Sequence, residues 1–236
     1  MKRVTLVAAC VLLISSAAVA QDNLSDFGPV GGEGPAETQT AAAPDGPLTF
    51  YGDRPSFDAA NPGLPIEDWE DFIIGAGGVA GCDAPANSTT SCPGVYSAGD
   101  ILPGLELVDD VGPDPGGLVA LGVGFNGNAS IQFGSNTFVD ALVLNFSPAV
   151  GAAGMEIACH FSAGTVDVVM NDSGGTLIGS TTSACSNAGT FFGVDSSVAI
   201  GSIRIFEQGG AQAELIDNIA FGGPAVPVTL QSIEVD

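Results

Sequence analysis

Thr165–Thr182 reads TVDVVMNDSGGTLIGSTT, two runs of Val, Met, Leu, Ile and Thr parted by Asn171-Asp172-Ser173-Gly174-Gly175. Those five residues accept the tight, often left-handed backbone of a hairpin turn, so the stretch predicts two antiparallel strands over Thr165–Met170 and Thr176–Thr182. The pattern recurs on both sides. Short apolar runs cut by Gly, Asn, Asp and Ser predict further strands at Leu48–Tyr51, Ile66–Ile74, Leu105–Val108, Leu118–Leu121, Ser130–Phe133, Phe138–Phe146, Gly154–Phe161, Gly189–Val194, Ala199–Phe206 and Ala213–Phe221. Only Arg54–Ala60, ended by Asn61-Pro62-Gly63, predicts a helix. Many short strands joined by polar turns predict an all-β fold, a two-sheet antiparallel sandwich of jelly-roll type with one short helix. Gly75–Pro103, rich in Gly, Ala, Ser and Pro, fits that scheme least and is expected to be a braced loop that could contact a ligand.

The chain is expected to divide into four parts. Residues 1–20 carry a positive start, an apolar run too short to span a bilayer and Ala18-Val19-Ala20, the pattern of a cleavable export signal. Residues 21–47 have no apolar periodicity and read as a flexible Gly-, Pro- and Ala-rich leader. Residues 48–223 should form the β domain, and residues 224–236 a tail. The expected location is therefore secreted, extracellular or at the cell surface, with no membrane span.

The formal net charge is −23, and losing Lys2 and Arg3 with the signal takes it to −25, with Arg54 and Arg204 the only basic residues left. Such a surface repels phosphate backbones and argues against nucleic acid as a partner. Cys10 leaves with the signal, and the remaining Cys82, Cys92, Cys159 and Cys185 suit an exported, disulfide-bonded chain. Four cysteines allow three connectivities. The local pairing Cys82 with Cys92 and Cys159 with Cys185 closes the two shortest loops and is the expected one.

Alternation along a strand places Asp217 with Leu215, Ile219 and Phe221, and Glu70 with Ile66, Phe72 and Ile74. A buried unpaired carboxylate is costly, and two arginines cannot serve 27 acidic groups. A structural Ca2+ held by Glu70 and Asp217, with Asn218 and Asp71, would relieve this, since hard oxygen ligands suit calcium. The competing reading places both acids at strand ends, solvated or bonded to backbone N–H groups.

Leu48-Thr49-Phe50 with Arg54-x-x-Phe57, Pro65-Ile66-Glu67-Asp68-Trp69-Glu70-Asp71-Phe72, Gly189-Thr190-Phe191-Phe192-Gly193-Val194 and Ile216-Asp217-Asn218-Ile219-Ala220-Phe221-Gly222 together resemble exported bacterial β-sandwich proteins of the PEP-CTERM-associated type. The resemblance implies a jelly roll similar to carbohydrate-binding modules and lectins, with structural calcium between an early acid and a late Asp-Asn. The tail Val226–Asp236 departs from that type in having neither a transmembrane run nor a basic end.

The expected function is a secreted, non-catalytic module, calcium-stabilised and binding polysaccharide or cell-surface glycan. Trp69, Tyr51 and Tyr96 are the available stacking platforms, Tyr96 by its place in the braced loop, although Trp69 in a strand equally suits core packing. The alternative is a structural or adhesive matrix protein without a small-ligand pocket. Catalysis is not expected. Neither G-x-S-x-G nor H-E-x-x-H occurs, and alternation points the one histidine, His160, to solvent beside Glu156.

Overall fold

The computed structural model describes residues 48–110, 116–137, 140–160, 162–207, 209 and 212–223. The expected signal, leader and tail, together with Phe138 and Phe161 at the ends of two expected strands, lie outside the described residues. In chain order the elements are β1 (Leu48–Tyr51), α1 (Arg54–Ala60), β2 (Ile66–Glu67), β3 (Val79–Cys82), β4 (Ala86–Asn87), β5 (Leu105–Asp109), β6 (Leu118–Leu121), β7 (Gln132–Ser135), β8 (Leu142–Cys159), β9 (Gly164–Asp172), β10 (Leu177–Cys185), β11 (Thr190–Phe206) and β12 (Glu214–Gly222).

Two long strands organise the sandwich. β8 and β11 each run through both layers, so every strand joins one hydrogen-bonded network although the strands stack as two sheets. The first layer runs β4-β5-β8-β11-β9-β10, using Leu142–Phe146 of β8 and Ile200–Phe206 of β11. The second runs β1-β11-β8-β12-β7-β6-β3, using Thr190–Ser196 of β11 and Val150–Cys159 of β8, with β2 on the far end of β12. Between the halves the β8–β11 register shifts, where Pro148 supplies no N–H for a ladder. Four expected strands are thus two bent ones.

The layers close on one core. Leu107, Leu144, Ile203 and Met170 of the first face Phe133, Met155, Ile157, Phe192 and Ile216 of the second. Both expected disulfides are present, Cys82–Cys92 and Cys159–Cys185, each with Cα atoms 5.4 Å apart. Each stabilises the fold by about 2–4 kcal/mol, mainly by restricting the unfolded chain. The braced segment also carries β3 and β4, so it is less irregular than its composition suggests.

The expected strand Ile66–Ile74 is corrected: only Ile66–Glu67 pair with β12. Trp69 takes a left-handed backbone, φ 58°, and turns the chain into the core, where its ring packs on Phe72 and Phe133 and its Nε1 donates to the Ile216 carbonyl at 3.1 Å. The acid buried there is consequently Glu67, which accepts from the N–H groups of Trp69 at 3.2 Å and Leu102 at 2.6 Å.

The outer faces differ. Over the second layer lies α1, capped by Asp53, whose Oδ1 accepts from Ser56 N at 2.9 Å. Its Phe57 ring rests on Gly154 and Gly193, where a Cβ would come within 2.8–2.9 Å of the ring. Val119, Leu121, Ala158 and Leu215 pack with Phe125, from the segment after β6, as a second apolar patch on that layer. The first layer alternates buried and half-buried residues along β5 and the first half of β8, and among the described residues its outer face stays open.

Candidate functional site

Cross-strand partners point to the same side of a sheet. Asn87 pairs with Glu106, Glu106 with Asn145, Asn145 with Ser202 and Ser202 with Asn171, so these residues form one polar row across β4, β5, β8, β11 and β9. All five are half-buried and lie on the open face. At one end of the row a cleft of about 290 Å³ is lined by Asn87, Ser88, Thr89, Glu106, Asn145 and Ser147, among others.

Glu106 sits between two amides. Asn87 Nδ2 donates to its Oε2 at 3.0 Å, and Asn145 Nδ2 donates to its Oε1 at 3.2 Å. Asn87 is fixed in turn by Thr89, whose N–H and hydroxyl donate to its Oδ1 at 2.9 and 2.8 Å. Beside the cleft, Gly104 has φ 95° and its carbonyl accepts from Ser147 N at 2.9 Å, with Ser147 O only 3.2 Å from where a Cβ would stand. A side chain there would be strained in backbone and crowded in space. The next outward row is Val108, Val143 and Arg204, with Arg204 bonded to Asp110 and lying 4.2 Å over the Phe206 ring.

A second polar site lies on the outer face of the other layer. Asp217 pairs with Glu156 across β12 and β8, and Asn218 follows in a left-handed backbone, φ 49°, at a register shift. Asp217 accepts from Ser130 Oγ and, at 2.7 Å, from Asn218 N. Burial pushes its carboxyl up to about 6, those two donors hold it down in part, and the charges of Glu156 and Glu70 add to the rise. Arg54 of α1 reaches in, donating to Glu156 Oε2 at 3.2 Å and to the Asn218 carbonyl, with its guanidinium 4.9 Å over Phe191. The oxygen donors suit a hard cation in kind. They do not converge: Glu70 and Asp71 are exposed, and among the described residues no group of three or more His, Cys, Asp or Glu side chains is arranged to hold a metal.

No protein-family model matches the chain, and no curated protein matches it. Solved structures of family 29 carbohydrate-binding modules are similar to it at a distance. One of them is 12% identical with a TM-score of 0.37, covering 65% of this chain and 98% of that one. A D114A mutant of such a module is 12% identical with a TM-score of 0.37, covering 62% and 93%.

Two of the three expected aromatic platforms, Trp69 and Tyr96, are corrected. Trp69 is fully buried for the reason given above. Tyr96 stacks on Phe72, ring centroids 4.9 Å apart, because the Cys82–Cys92 bridge holds its segment against the core. Tyr51 is half-buried, its hydroxyl donating to Asp195 at 2.6 Å. His160 does not face solvent. The segment after β6 covers it, Phe125 stacks on its ring and Asn126 Oδ1 lies 2.9 Å from its Nδ1. Burial lowers its pKa to about 4, so it is neutral at pH 7. Sequence reading missed Glu106, Asn87 and Asn145, whose only local signal is a polar residue in the outward phase of an alternating strand.

Proposed function

We propose that the protein is an exported, non-catalytic module that binds polysaccharide or a cell-surface glycan across the open face of the first layer. The observation that carries this reading is the cleft in which the Glu106 carboxylate is held between the amides of Asn87 and Asn145. Carboxylate, amide and hydroxyl groups in a fixed array suit the adjacent hydroxyls of a sugar ring. The volume of about 290 Å³ stands near the lower end of small-ligand pockets, which run from about 300 Å³. Glycosidic hydrolysis needs two facing carboxyl groups, whereas one carboxylate is found among the described lining residues. No helix among the described residues is long and apolar enough to cross a membrane.

The test is a glycan array with wild type, Glu106→Ala and Asn145→Ala. Both variants should keep the wild-type melting temperature and lose binding. Binding unchanged in both variants, or absent from wild type on every glycan, refutes the reading. Calcium-dependent self-association without sugar binding would instead support an adhesive matrix protein.

Calcium forms a separate part of the proposal. Because these donors stand apart in the structure, the ion would have to draw the exposed Glu70 and Asp71 onto Asp217 and Asn218, where it would supply charge neutralisation between the early acidic segment and the last strand. The burial of the Asp217 carboxyl, to which the nearby charges of Glu156 and Glu70 add, supports this. Calcium should raise the melting temperature of wild type but not of Asp217→Asn. A wild-type transition indifferent to calcium and to chelator rules it out.

A further inference from the structure

We infer that the cleft selects a glycan bearing free amino groups, a polymer of de-N-acetylated amino sugar, over neutral or acidic glycans. The inference rests on the glycan reading of this cleft and concerns the charge of its ligand.

Glu106 is the charged group among the described residues that line the cleft, and it faces no cation there. Its neighbours Asn87 and Asn145 donate one hydrogen bond to each carboxylate oxygen. An ionised carboxylate offers about four acceptor sites, so capacity remains for a further donor. The two arginines of the described chain are committed elsewhere, Arg54 to Glu156 and the Asn218 carbonyl, Arg204 to Asp110. An ammonium group brings both the missing charge and three donors. A hydrogen bond with one ionised partner is already about twice as strong as a neutral one, and an ammonium donor adds the attraction of opposite charges to it.

The long-range field acts in the same direction. A chain of formal net charge −23 concentrates cations near its surface and repels uronate or sulfate groups. A lysine-rich peptide would share the charge. The amides of Asn87 and Asn145 and the hydroxyls of Ser88, Thr89 and Ser147 instead match a ligand that carries hydroxyl groups around its cation.

The experiment compares equal-length oligomers of glucosamine, N-acetylglucosamine and glucuronate, with oligolysine as a fourth probe, by calorimetry at pH 5.5 and low salt. The glucosamine oligomer should bind at least about tenfold more tightly than the N-acetylated one, and raised salt should shrink the gap. Glu106→Gln, isosteric and checked for an unchanged melting curve, should bring the two within about twofold. Equal binding of both oligomers, or a preference that survives Glu106→Gln, overturns the inference while leaving the glycan reading intact. Oligolysine binding as tightly, with the same dependence on Glu106, overturns the sugar half of it. No binding of any sugar oligomer refutes the glycan reading itself.

Discussion

The outer faces of the two layers arise from the same pleat and meet opposite fates. On the second layer both phases of β8 from Val150 to Cys159 are buried except at Glu156, because α1 lies over one part of the outer face and the segment around Phe125 over another. On the first layer Leu105, Leu107, Leu142 and Leu144 point in while Glu106, Val108, Val143 and Asn145 point out, with no element among the described residues laid over them. The contrast is why the proposed glycan site lies on the first layer. Polar side chains on the covered face, Asp217 and His160, carry shifted pKa values. The polar row on the open face is half-exposed.

Breaking the cover tests this most severely. Phe57→Ala should cost about 3–5 kcal/mol, seen as a large drop in melting temperature, because the ring fills the space over Gly154 and Gly193. Val143→Ala, on the open face, should change stability by no more than about 0.5 kcal/mol. Comparable losses in the two variants would mean that the faces are not distinct.

A smaller effect is expected from pH. Glu214 is almost wholly buried in β12, and burial pushes its carboxyl up to about 8, partly opposed by Glu207 N donating to its Oε1 at 2.6 Å. A carboxyl raised in the folded state binds more protons there than in the unfolded chain, whose carboxylates titrate near about 4.3. Its stabilisation is therefore full at low pH and falls as pH rises through about 8. His160, lowered to about 4, acts in the opposite sense and loses stability as pH falls below its ordinary range. The window from about pH 6.5 to 8 isolates Glu214, with stability falling as pH rises. Thermal melts should show that slope in wild type and a flatter one in Glu214→Gln. An equal slope in both would place the effect elsewhere.

The smallest effect sharpens the comparison on the open side. Asn145→Ala should leave stability within about 0.5 kcal/mol of wild type while removing glycan binding, the reverse of what a covered-face variant does. A melting curve and a binding isotherm on one preparation separate the two.

Features carried by neighbouring residues were legible in the sequence. Arg54–Ala60 is a helix because Asp53 caps it, Pro55 suits its first turn and Asn61-Pro62 ends it. The hairpin of β9 and β10 follows from Asp172, whose Oδ1 accepts from the N–H groups of Gly174 and Thr176 at 2.8 Å, and from Gly175 at φ 81°. The local disulfide pairing was legible as well, since short loops close at least entropic cost. Alternation alone could not reveal that Trp69 turns inward with φ 58°, that β8 and β11 continue through a bend, or that α1 would cover one face and leave the other open. Those outcomes depend on what packs against each strand. The candidate site belongs with them: Glu106 and Asn145 stand 39 residues apart and meet only through the register of β5 on β8. Local chemistry determined most of the strands, the turns, the helix and the acidity of this chain, while non-local pairing decided which acids are buried and which one lines the cleft of the open face.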